Sequence, residues 1–254
     1  MLIYSLAGFC VGVLVGLTGV GGGSLMTPVL VLLFGIHPVT AVGTDLLYAA
    51  VTKSAGTVVH GWKGSVDWRV TGRLLAGSAP ATALTLLGIY LLAPGAHFGT
   101  IISMILGIAL IVTSISLLLR HKVMQYAGRG VDRFGESGTL ILTIATGIIL
   151  GVMVSLTSVG AGALGITALI FLYPKLPTAR IVGSDIAHAV PLTLLAGAGH
   201  WLIGSVDLGL LGWLVIGSLP GIVIGSYFVT RVPDAVLRFI LAVVLMIVGG
   251  RLAF

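Results

Sequence analysis

Two glycine runs carry the first chemical signal in this chain: Gly19-Val20-Gly21-Gly22-Gly23-Ser24 and its echo Ser158-Val159-Gly160-Ala161-Gly162-Ala163. Each lies between two apolar segments. Each is followed by a small residue and an acid, in Gly43-Thr44-Asp45 and Gly183-Ser184-Asp185. Where helical bonding lapses inside a bilayer, backbone N–H groups must find partners in protein, water or ligand. A helix N-terminus presents several such groups with a partial positive charge, which suits an anion. Gly21, Gly22, Gly23 and Ser24 are therefore expected to bind substrate from one half, and Gly160, Ala161, Gly162 and Ala163 from the other. Thr18 and Thr157 could add hydroxyls. Tight helix packing through small residues explains one such run equally well. The matched pair favours a site, because packing does not require symmetry. Pro28 either kinks the first short helix or marks its start after Thr27.

Asp45 and Asp185 are the only acids deep in apolar segments, and a carboxylate at depth is a functional candidate. They either bind a coupling proton or sodium ion or cap a broken helix. Both readings stay open, and an acid beside an anion would repel it, so neither is a primary substrate ligand. Lys53 has no basic counterpart, its match being Thr193. It neutralises an anion or pairs with Asp45; snorkelling to the interface is the bland alternative. Thr44 and Ser184 complete the expected substrate site. Tyr48 and His188, three residues past each acid and on the same helix face, are expected to gate or line it. His60 and His200, near Trp62 and Trp201, read as interfacial. Asp67 and Asp207 read as turn or cap residues.

The elements that must hold these residues follow from composition. The chain is 57% hydrophobic and 8% charged, against roughly 25% charged in a soluble domain. That points to an integral membrane protein, and the net charge of +6 is better explained by loop placement than by nucleic acid. Ten apolar segments stand out, near 2–17, 20–34, 41–60, 70–92, 98–119, 139–157, 160–173, 178–203, 208–228 and 235–254. Eight are long enough to span and the second and seventh are short. No strand alternation competes, so the expected class is all-α. No basic leader or cleavage site precedes the first segment, so a removed signal peptide is not expected. The single cysteine, Cys10, allows no internal disulfide.

The halves repeat. A shift of 140 aligns Gly43/Gly183, Asp45/Asp185, His60/His200, Asp67/Asp207, Ser78/Ser218 and Pro80/Pro220; before Gly43 the shift is 139. Shared helix composition rarely matches His, Asp and Pro in one register. If every segment crosses, eleven of the 13 Lys and Arg residues fall on one side, the exceptions being Lys53 and Arg251. That bias places both termini outside. Five segments per half make the repeats inverted. The expected layout is a first repeat over 1–119, a cytoplasmic linker over 120–138 and a second repeat over 139–254.

The run Gly-Val-Gly-Gly-Gly-Ser-Leu at 19–25, with Pro28, Ala41-Val42-Gly43-Thr44-Asp45 and the duplicated half, resembles the sulfite exporter TauE/SafE family of bacterial permeases. The second half departs from the pattern, with Gly160-Ala161-Gly162 and with Thr167 where the first has Pro28. The resemblance implies passage of sulfite, sulfonates or related small anions, usually across the bacterial cytoplasmic membrane.

The expected function is secondary transport of a small anion by alternating access, with export of sulfite or an organosulfonate leading. Another organic acid or a passive anion channel is the alternative. There is no HExxH, GxSxG or phosphate-binding GxxxxGK[ST] motif and no cysteine–histidine metal cluster, so neither an enzyme nor a cofactor is expected. The expected partners are the anion, the bilayer and a coupling proton or sodium ion. A homodimer is left open.

Overall fold

The computed structural model describes residues 2–18, 23–62, 64–92, 98–127, 135–228 and 234–254. They form α1 (Leu2–Thr18), α2 (Gly23–Phe34), α3 (Pro38–Trp62), α4 (Trp68–Leu92), α5 (Phe98–Ala127), α6 (Gly135–Thr157), α7 (Ala163–Leu172), α8 (Thr178–Leu202), α9 (Leu208–Phe228) and α10 (Asp234–Ala253). No strand occurs among the described residues. Each apolar segment is a helix. The main departure is at the middle of the chain, where α5 runs on to Ala127, so Arg120 and Lys122 are helical rather than loop residues. Nothing in Arg120 to Ala127 is a glycine or proline that would stop the helix.

Six helices, α4, α5, α6, α8, α9 and α10, are long and apolar enough to cross a bilayer by themselves. Eight segments were expected to be. Of the other two, α1 has 17 residues, and α3 has 25 but carries Asp45 and Lys53. The 10 residues of α7 reach about 15 Å, half of the ~30 Å hydrocarbon core. The outer surface suits lipid: Leu84 and Leu87 of α4, Ile141 and Ile149 of α6 and Ile247 of α10 are all exposed. The chain is a multi-pass helical membrane protein.

Packing follows the sequence repeat. Helix α1 lies along α9, and its equivalent α6 lies along α4. Both contacts are made at glycines. A Cβ on Gly8 or Gly12 would strike the backbone of Leu214 or Ser218; on Gly147 or Gly151 it would strike that of Leu74 or Ser78. Those positions are the same under the 139 and 140 shifts. Small residues let the backbones approach and add dispersion where lipid offers no hydrophobic drive.

Helices α3 and α8 pack on each other, and so do α5 and α10. Both pairs are antiparallel. Gly43 of α3 meets the Ser205 carbonyl beside the end of α8, Gly183 of α8 meets the Ser65 carbonyl beside the end of α3, and Gly197 meets Leu47. Along α5, Gly107 meets Gly249 and Ala253, while Ser114 Oγ donates to the Ala242 carbonyl at 2.7 Å. The α3–α8 pair brings buried Asp45, Lys53, Asp185 and His188 into the interior.

Candidate functional site

Between α6 and α7 the segment 158–162 leaves the helical path. Ser158 (φ 59°), Gly160 (φ 126°) and Gly162 (φ 117°) take left-handed backbone angles. Glycine does so without a Cβ clash, which explains glycine at 160 and 162. Thr157 Oγ1 secures the exit from α6, donating to the Met153 carbonyl at 2.6 Å and accepting from Val159 N–H at 3.1 Å. Gly162 is the N-cap of α7 and no side chain caps it. The expected break is thus present, with Gly160, Ala161 and Gly162 inside it and Ala163 opening α7. In the first half, Gly21 and Gly22 lie outside the described residues, as does the Ser24 side chain. Gly23 and Ser24 open α2, and Pro28 lies inside it, so the helix begins before Thr27 rather than after.

Lys53 of α3 reaches into the second-half break. Its side chain is buried, and Nζ donates to the Ala161 carbonyl at 3.2 Å. It does not snorkel. Asp185 and Asp45 are its electrostatic neighbours, in that order. Neither is in ion-pair contact with it; among the described residues that contact is made by Arg73 and Glu136, at 3.8 Å.

Both acids are fully buried, and they differ. Asp45 Oδ2 accepts from Thr27 N–H at 3.1 Å and Thr27 Oγ1–H at 2.5 Å, and the carboxylate also lies beside Ser158. Asp45 therefore bridges α2 and the opposite half's break. Asp185 has no hydrogen-bond partner at either oxygen. It presses against the start of α7: a Cβ on Gly165 would overlap Oδ1, and Gly162 N–H faces the carboxylate without closing a bond.

His188 and Tyr48 are buried on the same two helices. His188 Nε2 sits 2.9 Å from Ser78 Oγ, and Tyr48 faces Ser218, the equivalent serine. His188 Nδ1 and the Tyr48 hydroxyl have no hydrogen-bond partner. Asp45 Oδ1, Ser158 Oγ and both Asp185 oxygens are in the same condition. Native proteins leave few buried polar groups unpaired, because each costs about 1–3 kcal/mol. Their concentration around one helix break marks a place for water, an ion or a ligand.

Thr44 and Ser184 stand apart from the break. Thr44 Oγ1 accepts from Asp207 N–H at 3.1 Å, and Ser184 Oγ accepts from Asp67 N–H at 2.8 Å while donating to the Arg180 carbonyl at 2.7 Å. These hydroxyls clasp α3 to the start of α9 and α8 to the start of α4. Expected as substrate ligands, both hydroxyls take part in hydrogen bonds between helices. Asp67 and Asp207 are helix caps, Oδ1 accepting from Val70 N–H at 3.3 Å and Leu210 N–H at 2.9 Å. His200 Nε2 lies 2.9 Å from the Ser155 carbonyl, and His60 Nδ1 lies 2.9 Å from Ser65 Oγ.

Sequence reasoning passed over Thr27 and Ser158, the contacts of Asp45. Their signal was position: Thr27 directly precedes Pro28 and Ser158 adjoins a glycine run. No group of three or more His, Cys, Asp and Glu side chains suited to a metal occurs among the described residues.

The Sulfite exporter TauE/SafE family matches the chain over residues 4–252. The chain belongs to this family. Among relatives of this TauE/SafE chain, "Probable membrane transporter protein YjnA" of Bacillus subtilis is 38% identical over 97% of both chains. A second protein of that organism, "Probable membrane transporter protein YdhB", is 26% identical, again over 97% of both chains. An archaeal relative, "Probable membrane transporter protein MJ0441" of Methanocaldococcus jannaschii, is 25% identical over 80% of this chain and 72% of its own. No solved structure matches the chain. All three relatives are named probable membrane transporter proteins.

Proposed function

We propose that this TauE/SafE chain carries a small anion across the bacterial cytoplasmic membrane by alternating access, with export of sulfite or an organosulfonate as the leading reading. The observation that carries the proposal is Lys53. A buried ammonium with no contact ion pair is held on the Ala161 carbonyl at the uncapped start of a short helix. Helix N-terminus and ammonium favour the same ligand charge, and a buried cation is costly until an anion compensates it. Lys53 Nζ, with the N–H groups of Gly162 and Ala163, forms the anion's binding group in this reading.

The two acids set the charge balance. Two carboxylates and one ammonium leave the centre with one excess negative charge when all are ionised (−2 + 1 = −1). An incoming anion is repelled until a proton joins it. Asp185 is the carboxylate that receives the proton, since its oxygens carry no competing hydrogen bonds. Asp45 holds α2 in place through Thr27.

Alternating access is supported by the packing. Equivalent helices that meet antiparallel, α3 on α8 and α5 on α10, are related by a twofold axis across their length. In this reading the axis lies in the membrane plane and the repeats are inverted. In this reading, with the bias of basic residues, both termini lie outside.

Calorimetric titration of sulfite and a small sulfonate into the purified protein tests the site. Lys53→Met is expected to weaken binding about 10- to 100-fold, the range for a lost charge-assisted contact. An unchanged affinity would remove Lys53 from the site.

A further inference from the structure

Arg120 lies outside the site described so far and counts among the strangest charges in the chain. It sits on α5 with only 7% of its side chain exposed. Its Nε has no hydrogen-bond partner, and no carboxylate is in ion-pair contact with it among the described residues. Burying a guanidinium in that state is unfavourable unless something compensates it. Its surroundings compensate poorly. The α5–α10 register, with Gly107 against Gly249 and Ser114 against Ala242, carries Arg238 of α10 to the level of Arg120, and the two like charges act on each other. The acid that attracts Arg120 is Asp185, which is not in contact with it and has two unpartnered oxygens of its own. Arg120 also faces the short helix. One turn earlier on α5, Ser116 Oγ donates to Thr167 Oγ1 of α7 at 3.0 Å, and residues four apart share a helix face.

We propose that Arg120 is a second anion subsite, a capture point for the oxyanion group of the substrate on one side of the membrane. A planar guanidinium with free donors matches sulfite, sulfonate or carboxylate oxygens through paired N–H···O bonds. From Arg120 the anion passes along α7 to the break at Gly162, where Lys53 takes over. The subsite serves the membrane face towards which α5 runs and from which α6 returns. This inference rests on the anion-transport reading.

The test is the initial rate of sulfite transport against concentration in inside-out and right-side-out vesicles holding the wild type, Arg120→Gln or Arg120→Lys. Arg120→Gln is expected to raise the apparent KM about 10- to 100-fold from one face and to leave it unchanged from the other. Arg120→Lys keeps the charge but not the fork, and should fall between on that same face. A structural role would lower rates from both faces alike, and that result overturns the proposal. So does a wild-type KM on both faces, in either variant. If Arg120→Gln is not produced, the one-sided shift of Arg120→Lys decides. A wild type that moves neither sulfite nor a small sulfonate sinks the transport reading itself; normal wild-type transport without a one-sided shift sinks only Arg120.

Discussion

The motifs Gly43-Thr44-Asp45 and Gly183-Ser184-Asp185 occupy equivalent places, and their first two residues do the same work. Each glycine admits a carbonyl, from Ser205 or Ser65. Each hydroxyl accepts the N–H of an aspartate that caps a helix of the other half, Asp207 at α9 or Asp67 at α4. The third residues diverge. Asp45 is held by Thr27, and Asp185 is left without a hydrogen bond. The cause lies in the partner helices: the position equivalent to Thr27 is Ile166, which offers no side-chain hydroxyl. Lys53, facing Thr193 in the repeat, breaks the symmetry in the same direction. The duplicated glycines and hydroxyls build the frame, while the unmatched positions, Lys53 against Thr193 and Ile166 against Thr27, leave an ammonium and the Asp185 carboxylate without contact ion pairs among the described residues.

The largest effect should come from the residue that has no counterpart. Lys53→Met is expected to cut anion flux about 100-fold or more, because the buried binding group loses its charge. Thr193→Met, its equivalent, should leave flux within a few-fold, as read in proteoliposomes. Comparable losses from both would erase the asymmetry.

The two acids should separate next. Asp45→Asn weakens two charge-assisted bonds to Thr27 and should lower stability by about 1.5–3 kcal/mol in detergent unfolding. Asp185→Asn breaks no hydrogen bond and should leave stability nearly unchanged. Proton uptake on sulfite binding, taken from titrations in buffers of different ionisation enthalpy, should vanish in Asp185→Asn and persist in Asp45→Asn. Equal behaviour of the two variants in both measurements would return both acids to one shared role.

Backbone strain gives a smaller effect. Gly162→Ala places a Cβ on a residue at φ 117°. It should destabilise by about 1–3 kcal/mol and weaken binding through displaced N–H groups. Smallest is the clasp. Thr44→Val and Ser184→Ala each remove one acceptor for a helix-start N–H and should cost about 1 kcal/mol each, with substrate affinity retained. A selective loss of affinity in either would restore that residue as a ligand.

Much of this was legible in the sequence. Hydropathy located the helices, and the shared register of His, Asp and Pro located the repeat. The break at Gly160–Gly162 was marked by its glycines, which take φ 126° and 117°. What could not be read was which polar group faces which. Thr44 and Ser184 adjoin the acids in sequence, yet successive helical positions point about 100° apart, so their hydroxyls reach other helices. Arg120 looked like a loop residue because basic side chains usually end a span. Only the packing of α5 against α7 and α10 reveals it as buried.

The most direct test of the account is uptake of labelled sulfite and a small sulfonate into proteoliposomes holding only this protein, with and without an imposed proton gradient. The account predicts accumulation above equilibrium that follows the gradient, is lost with Lys53→Met and loses its gradient dependence with Asp185→Asn. Flux that only equilibrates, and ignores both the gradient and Lys53, would contradict it and identify a passive pore.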